Sequence, residues 1–233
     1  MRFPFLTAHW SNIALVTYAV PPDRVTPHLP PGVVADRREG RAFVSLVAFD
    51  FRDLRVLGVP VPGGRRFPEV NLRLYARQGD RQGVVFAREM VPSRLVTGAA
   101  RLLYNEPYAR ASIQIEQETS GNALAMTYRF GWKGREQRVR VTGRTPPAVP
   151  APNSTAHFFK ERHWGFGTAH NGRTLRYRVE HPRWAVYPVA EHHVTLDWAH
   201  VFGPDWAFLQ EAKPYSVLLA KGSPVTVYWR ESL

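Results

Sequence analysis

The sequence predicts a mainly β protein, a β-rich α+β arrangement in which antiparallel strands close into a barrel or a sandwich and the helices are few and short. Three observations carry that expectation. The dominant hydrophobic period is two, the alternating runs are separated by turn-forming clusters, and helical spacing is confined to three brief segments.

The clearest strands are a pair. Ile113 and Ile115 alternate with Ser112, Gln114 and Glu116, and Ser120-Gly121-Asn122 supplies a turn. Leu124, Met126, Tyr128 and Phe130 then alternate with Ala123, Ala125, Thr127 and Arg129, which makes a hairpin. Similar strands are expected at 12–19, 41–51, 69–77, 83–90, 138–144, 173–180 and 183–189. A last hairpin is expected to join 215–220 to 225–230 through Lys221-Gly222-Ser223-Pro224.

Helices are expected at Pro22–Leu29, stopped by Pro30-Pro31-Gly32, and at Ser93–Tyr104, where Leu95, Val96, Ala99, Leu102 and Leu103 recur at helical spacing. A third, Asn153–His163, has cap-forming Asn153 or Ser154 and carries Phe158 and Phe159. The Pro-rich segment Thr145–Pro152 reads as a crossover between layers, so residues 1–233 are taken as one domain.

Composition excludes several function classes. The chain has no cysteine, which removes disulfides, thiolate metal sites, iron–sulfur ligation and thiol nucleophiles. No apolar run is long enough for a transmembrane helix and nothing after Met1-Arg2 resembles a secretory signal, so the expected location is cytoplasmic, with no membrane partner. The formal charge is +12. That charge is spread along the chain, and only four of the 31 basic residues are Lys, so a nucleic-acid partner is disfavoured. The nine His residues lack zinc spacing: His192 and His193 are adjacent, and His157, His163 and His170 do not cluster tightly. Neither a metal nor a cofactor is expected.

The polar chemistry concentrates in Phe67-Pro68-Glu69-Val70-Asn71-Leu72-Arg73-Leu74-Tyr75. Glu69, Asn71, Arg73 and Tyr75 share one strand face; Val70, Leu72 and Leu74 share the other. That polar face is either solvated or turned into a barrel where it converges on a ligand. The next strand, Val84 to Glu89, adds Arg88 as a candidate ligand-binding residue. It runs into Pro92-Ser93-Arg94-Leu95.

With these segments the chain resembles the YqjF-like family of uncharacterised proteins, in the acetoacetate-decarboxylase-like superfamily. The resemblance rests on Leu29-Pro30-Pro31-Gly32, on Gly40 to Phe49, on Phe67 to Arg73, on Phe158-Phe159-Lys160-Glu161-Arg162 and on His181-Pro182-Arg183-Trp184. It implies a barrel- or cone-like antiparallel sheet around an enclosed, largely apolar cavity. In the decarboxylases a Glu lies on a cavity strand, and a Pro-Lys-Lys segment supplies a Schiff-base lysine beside a second cation. Glu69 matches that Glu. Ser93 and Arg94 replace the two lysines, and Arg cannot lose its proton near neutrality, so the resemblance implies the scaffold without the Schiff-base mechanism.

The four lysines, Lys133, Lys160, Lys213 and Lys221, read as solvated. Because it coincides with the cavity Glu of the resembling family, Glu69 is the candidate catalytic residue, expected to stay ionised beside Arg73, with Arg94 near the cavity lining and able to hold a carboxylate. Asn71, Arg73, Arg88, Arg94, Glu161, Arg162, His181 and Trp184 are the candidate ligand-binding residues. Adjacent helical residues point about 100° apart, so Glu161 and Arg162 cannot both enter one pocket equally. The function expected is binding of a small molecule in an enclosed cavity; whether Glu69 also performs acid–base chemistry there on a carbonyl or carboxylate compound stays open at this point. The alternative is a non-catalytic interaction or regulatory module whose basic surface meets nucleic acid or another anionic partner.

Overall fold

The computed structural model describes residues 3–94, 97 and 107–233. Sixteen strands are present among them. In chain order they are β1 (Pro4–Val20), β2 (Val34–Ala35), β3 (Ala42–Val56), β4 (Val59–Pro60), β5 (Arg66–Gln78), β6 (Arg81–Val91), β7 (Tyr108–Arg110) and β8 (Ser112–Ser120). They continue as β9 (Ala123–Trp132), β10 (Arg135–Arg144), β11 (Trp164–Thr168), β12 (Thr174–Glu180), β13 (Val186–Tyr187), β14 (Val189–Thr195), β15 (Ser216–Tyr228) and β16 (Glu231–Ser232). Short helices α1 (Pro22–Val25), α2 (Thr155–Lys160) and α3 (Trp198–Phe202) are joined by 3₁₀ turns at Thr26–His28 and Pro204–Glu211. Ser154 caps α2 by accepting from the His157 amide, the hydrogen bond expected of a Ser before a helix.

The large sheet curls on itself. Its strands follow the path β15, β1, β3, β5, β6, β11, β12, and β12 pairs back onto β15 through Val179 with Val227 and Glu180 with Thr226. All these pairings are antiparallel except β6 with β11. The second sheet, β14-β10-β9-β8, packs against the outside of the first.

This arrangement buries β1, β3 and β5 on both faces, so Ala42-Phe43-Val44-Ser45-Leu46-Val47-Ala48-Phe49 is buried throughout instead of alternating with solvent. Val44, Leu46, Val70, Leu72 and Leu74 face outward into a core shared with Met126, Tyr128, Phe130, Val139 and Val141 of the smaller sheet. Each such side chain contributes about 1.5–3 kcal/mol on burial. Phe43, Val47, Phe49, Phe67 and Tyr75 face inward.

Several boundaries differ from expectation. The final hairpin is instead one strand, β15, paired with β1 from Pro4 to Thr17. Gly222 sits there at φ +81°, and a Cβ on it would lie 2.0 Å from the Trp10 carbonyl oxygen. The Lys-Gly-Ser-Pro signal therefore marks a close backbone approach within a strand, not a turn. Strand β1 begins at Pro4, earlier than the alternation suggests, and the strand expected at 183–189 is the short β13 followed by β14, which extends to Thr195. Helix α3 and the turn after it were not anticipated; their Trp198, Val201, Trp206 and Leu209 seal the outer core. The helix expected over Ser93–Tyr104 lies for the most part outside the described residues. Among the described residues no helix is long and apolar enough to cross a membrane.

Candidate functional site

The inward faces of the curled sheet surround a pocket of about 520 Å³. Its walls are mainly apolar, with Trp10, Phe49, Phe51, Phe67, Phe86 and Trp184 contributing, and a small set of polar groups interrupts them. That is the composition of small-molecule sites, where apolar walls supply contact and a few polar groups fix orientation.

Strand β5 delivers the first polar groups. Glu69, Asn71 and Arg73 point inward and are 2%, 2% and 9% exposed. Glu69 Oε1 accepts from Asn71 Nδ2 at 2.8 Å, and Glu69 Oε2 accepts from the Tyr108 hydroxyl at 3.3 Å. Burial pushes the Glu69 carboxyl up to about 7; the bonds from Asn71 and Tyr108 oppose the shift without cancelling it. The expectation that Arg73 would keep Glu69 ionised is therefore corrected. Arg73 Nη2 instead donates to the Phe159 carbonyl at 2.8 Å and the Tyr75 hydroxyl at 3.3 Å. Tyr75 continues a buried chain through Ser45 to Thr17, with 2.7 Å between successive hydroxyls. These bonds lock the end of α2 onto β5.

Strand β6 delivers Glu89, 3% exposed, where Arg88 was expected. The cause is a bulge. Arg73 pairs with Phe86 and Leu72 with Arg88, leaving Ala87 as an extra residue. One extra residue reverses the alternation, so Phe86 and Glu89 face inward while Ala87 and Arg88 both face outward. Arg88 donates to the Val201 carbonyl and lies over the Trp132 ring at 5.1 Å. Glu89 stands opposite Asn71 and hence diagonal to Glu69, roughly 7–8 Å apart by ordinary sheet geometry.

The last residue of α2 supplies Lys160, and the turn after it supplies Arg162. Lys160, expected to be solvated, is instead 1% exposed, lines the pocket and donates to Glu161. Arg162 also lines the pocket. It donates to Asp36, 126 residues away in sequence, and lies between the Phe158 and Tyr75 rings at 4.1 and 5.1 Å. Burial lowers its affinity for the proton, and Asp36 opposes that. Glu161 does not reach the lining; it is committed to Lys160, with His163 Nε2 3.9 Å away.

His181 and Trp184 also line the pocket. Trp184 is fixed by an Nε1 bond to Ser223 Oγ at 2.8 Å. The His181 ring is stacked between Trp184 and His163, with centroids at 4.3 and 5.0 Å. His181 Nδ1 is 3.0 Å from the Pro182 carbonyl, which can only accept, so Nδ1 carries the hydrogen. Burial lowers the imidazole below its ordinary value. Arg94 is exposed and absent from the lining, which corrects its expected placement.

The structure thus gathers Glu69, Asn71, Arg73, Arg162, His181 and Trp184, and leaves out Arg88, Arg94 and Glu161. Sequence reading missed Glu89, Tyr108, Lys160 and Asp36. The signal closest to revealing one of them was the acidic residue beside Arg88, one position out of phase.

The fold is that of the acetoacetate-decarboxylase-like proteins. An acetoacetate decarboxylase-like enzyme from Sphingomonas wittichii RW1 superposes with a TM-score of 0.70 at 14% identity, covering 99% of this chain and 94% of that one. The enduracididine biosynthesis enzyme MppR superposes at 0.69 with 16% identity, covering 100% and 88%. Acetoacetate decarboxylase from Legionella pneumophila gives 0.66 with 12% identity, covering 100% and 88%.

Within that fold the chain belongs to the DUF2071 family of uncharacterised conserved proteins, whose model matches residues 7–224. It is 29% identical over 116 residues to the uncharacterised protein YqjF of Bacillus subtilis (strain 168). That match spans 49% of this chain and about half, 47%, of YqjF.

Proposed function

We propose that the protein binds a small, largely apolar organic compound in the pocket and acts on it by moving a proton through Glu69, at a carbon next to a carbonyl group. The observation that carries this reading is the Glu69 carboxyl, buried in an apolar wall and pushed up to about 7. A general acid or base works best when its pKa lies near the working pH, because it is then both available and reactive. Tyr108 and Asn71 hold the carboxyl in place, and the second buried carboxylate, Glu89, lies on the same face. The carboxylate removes the proton to leave an enolate, and the resulting acid returns a proton to carbon.

This chemistry runs without an imine. Arg94, which replaces the expected lysine, is exposed, and Lys160 already donates to Glu161. The neighbours in the same fold are enzymes, and a likeness at this level of identity supports the scaffold alone.

The test is hydrogen–deuterium exchange at carbon. A series of aryl and alkyl ketones and 2-oxo acids is incubated with the protein in D₂O and deuterium next to the carbonyl is followed by NMR. The expected result is catalysed exchange for members that also raise the melting temperature, falling by about 10²–10⁴-fold in Glu69→Gln. A series in which no member binds or exchanges overturns the proposal.

A further inference from the structure

Among the described residues three cations reach the pocket wall, and two of them have a carboxylate. Lys160 donates to Glu161 and Arg162 to Asp36. Arg73 does not. Its two acceptors, the Phe159 carbonyl and the Tyr75 hydroxyl, are uncharged, and its Nε is buried without an acceptor among the described residues. Among the described residues no carboxylate lies within ion-pair distance of it. Glu69, its neighbour on the same face, is engaged by Asn71 and Tyr108.

A guanidinium keeps its proton at any working pH, so Arg73 brings a full positive charge into an apolar pocket with no counter-charge of its own. A second guanidinium adds to the same field. Arg73 and Arg162 flank the Tyr75 ring, with their Cζ atoms 5.4 and 5.1 Å from its centroid. Arg162 spends one nitrogen on Asp36, and its Nε and Nη2 are buried without acceptors. Both residues are more than nine-tenths buried, at 9% and 5% exposure, and both line the pocket.

We propose, building on the binding reading above, that Arg73 anchors the ionised carboxylate of the pocket's ligand, with Arg162 reinforcing it. The ligand is then a monocarboxylate with an apolar body. One uncompensated charge matches one anionic charge. The other two cations of the wall among the described residues, Lys160 and Arg162, already have Glu161 and Asp36, which leaves no second uncompensated charge to meet a dianion such as a phosphate monoester. Carboxylates suit a guanidinium because two oxygens can accept from two nitrogens at once.

The test uses a matched pair of probes, 4-phenylbutyrate and 4-phenylbutyramide, titrated calorimetrically into the protein, with thermal shift as a second reading. The expected result is a preference for the acid of about ten- to a hundredfold, the range of a charge-assisted hydrogen bond. Arg73→Met should bind both probes equally at the amide's affinity, and Arg73→Lys should recover part of the preference. Should Arg73→Met fail to fold, the parent's acid-to-amide ratio and the Arg73→Lys variant decide. Equal binding of acid and amide by the parent overturns the carboxylate anchor and leaves the pocket reading standing. A preference that survives in Arg73→Met also overturns it. If neither probe binds, and neutral ketones of the same size also fail, both readings fall.

Discussion

Asn71 lies two residues beyond Glu69 on the same face of β5 and donates from Nδ2 to Glu69 Oε1 at 2.8 Å. Asn71 can hold that carboxyl oxygen whether Glu69 is protonated or ionised, because an amide N–H bonds either form. An arginine in the same place would have favoured the carboxylate alone. Glu69 is thus held firmly in position while burial sets its proton affinity, and a pH-dependent stability follows.

The Glu69 carboxyl binds its proton more tightly in the folded protein, at about 7 against 4.5. Its contribution is fully present below pH 4.5 and is lost as pH rises through about 7. The loss amounts to about 3 kcal/mol by pH 8. Glu69→Gln keeps the shape and removes the titration. Denaturant melts are expected to show the variant more stable than the parent at pH 8, with the gap closing toward pH 4.5. Equal pH dependence in the two proteins would show that Glu69 is not the titrating group. The other titratable groups lining the pocket, Glu89, Tyr108, Lys160, Arg162 and His181, are present in both proteins; those that interact with Glu69 titrate with it, so the difference between the two curves reports Glu69 together with its interacting neighbours.

The Arg162–Asp36 pair is buried on both sides, at 2% and 5% side-chain exposure. Removing one partner leaves the other charge stranded, so Asp36→Asn and Arg162→Met are each expected to cost about 3–5 kcal/mol. The double variant should cost less than the sum of the two, since neither charge then remains alone. Urea denaturation of the four proteins measures the coupling.

Arg88 and Glu89 are neighbours in sequence and face opposite sides of the sheet. Arg88→Met loses the bond to the Val201 carbonyl and the stacking on Trp132, with an expected cost of about 1–3 kcal/mol and unchanged binding of pocket ligands. Glu89→Gln is expected to do the reverse, altering ligand affinity with a smaller effect on stability. Calorimetric titration of both variants with one pocket ligand separates the two faces.

Acetoacetate with borohydride is expected to leave the intact mass of the protein unchanged. Arg94 cannot form an imine, and Lys160 is buried with its amine donating to Glu161. A reduced adduct mapped to Lys160 would show that this amine becomes free to react.

The local pattern was enough to place β5 and the β8–β9 hairpin, because alternation over several residues defines a strand and its two faces. It also grouped Glu69, Asn71 and Arg73 correctly on one face. The face of Arg88 was not legible, because a bulge of one residue, Ala87, leaves no mark in composition and yet inverts everything after it. Lys160 looked solvated because its burial depends on strands distant in sequence. Asp36 could not be paired with Arg162 across 126 residues without the fold that joins them. At Gly222 the same residue type serves a turn or a close strand contact, and only the partner strand decides.

The ring of strands is unevenly fastened. Strand β1 pairs with β3 and β15 over most of its length, whereas the hairpin of β11 and β12 is fixed at each side by a short seam. On one side Trp164, Gly165 and Phe166 meet Gly83, Val84 and Val85; on the other Val179 and Glu180 meet Val227 and Thr226, and Leu175 and Arg176 meet Ser232 and Glu231 of the short β16. This hairpin carries Trp164 and Tyr177 into the pocket wall. Segments held by few hydrogen bonds open locally at a lower free energy than the whole molecule. The wall is therefore expected to breathe as one piece, with amide exchange in β11 and β12 outrunning that in β1 and β3. An occupant of the pocket would then act as a bolt across the seams, slowing exchange there first.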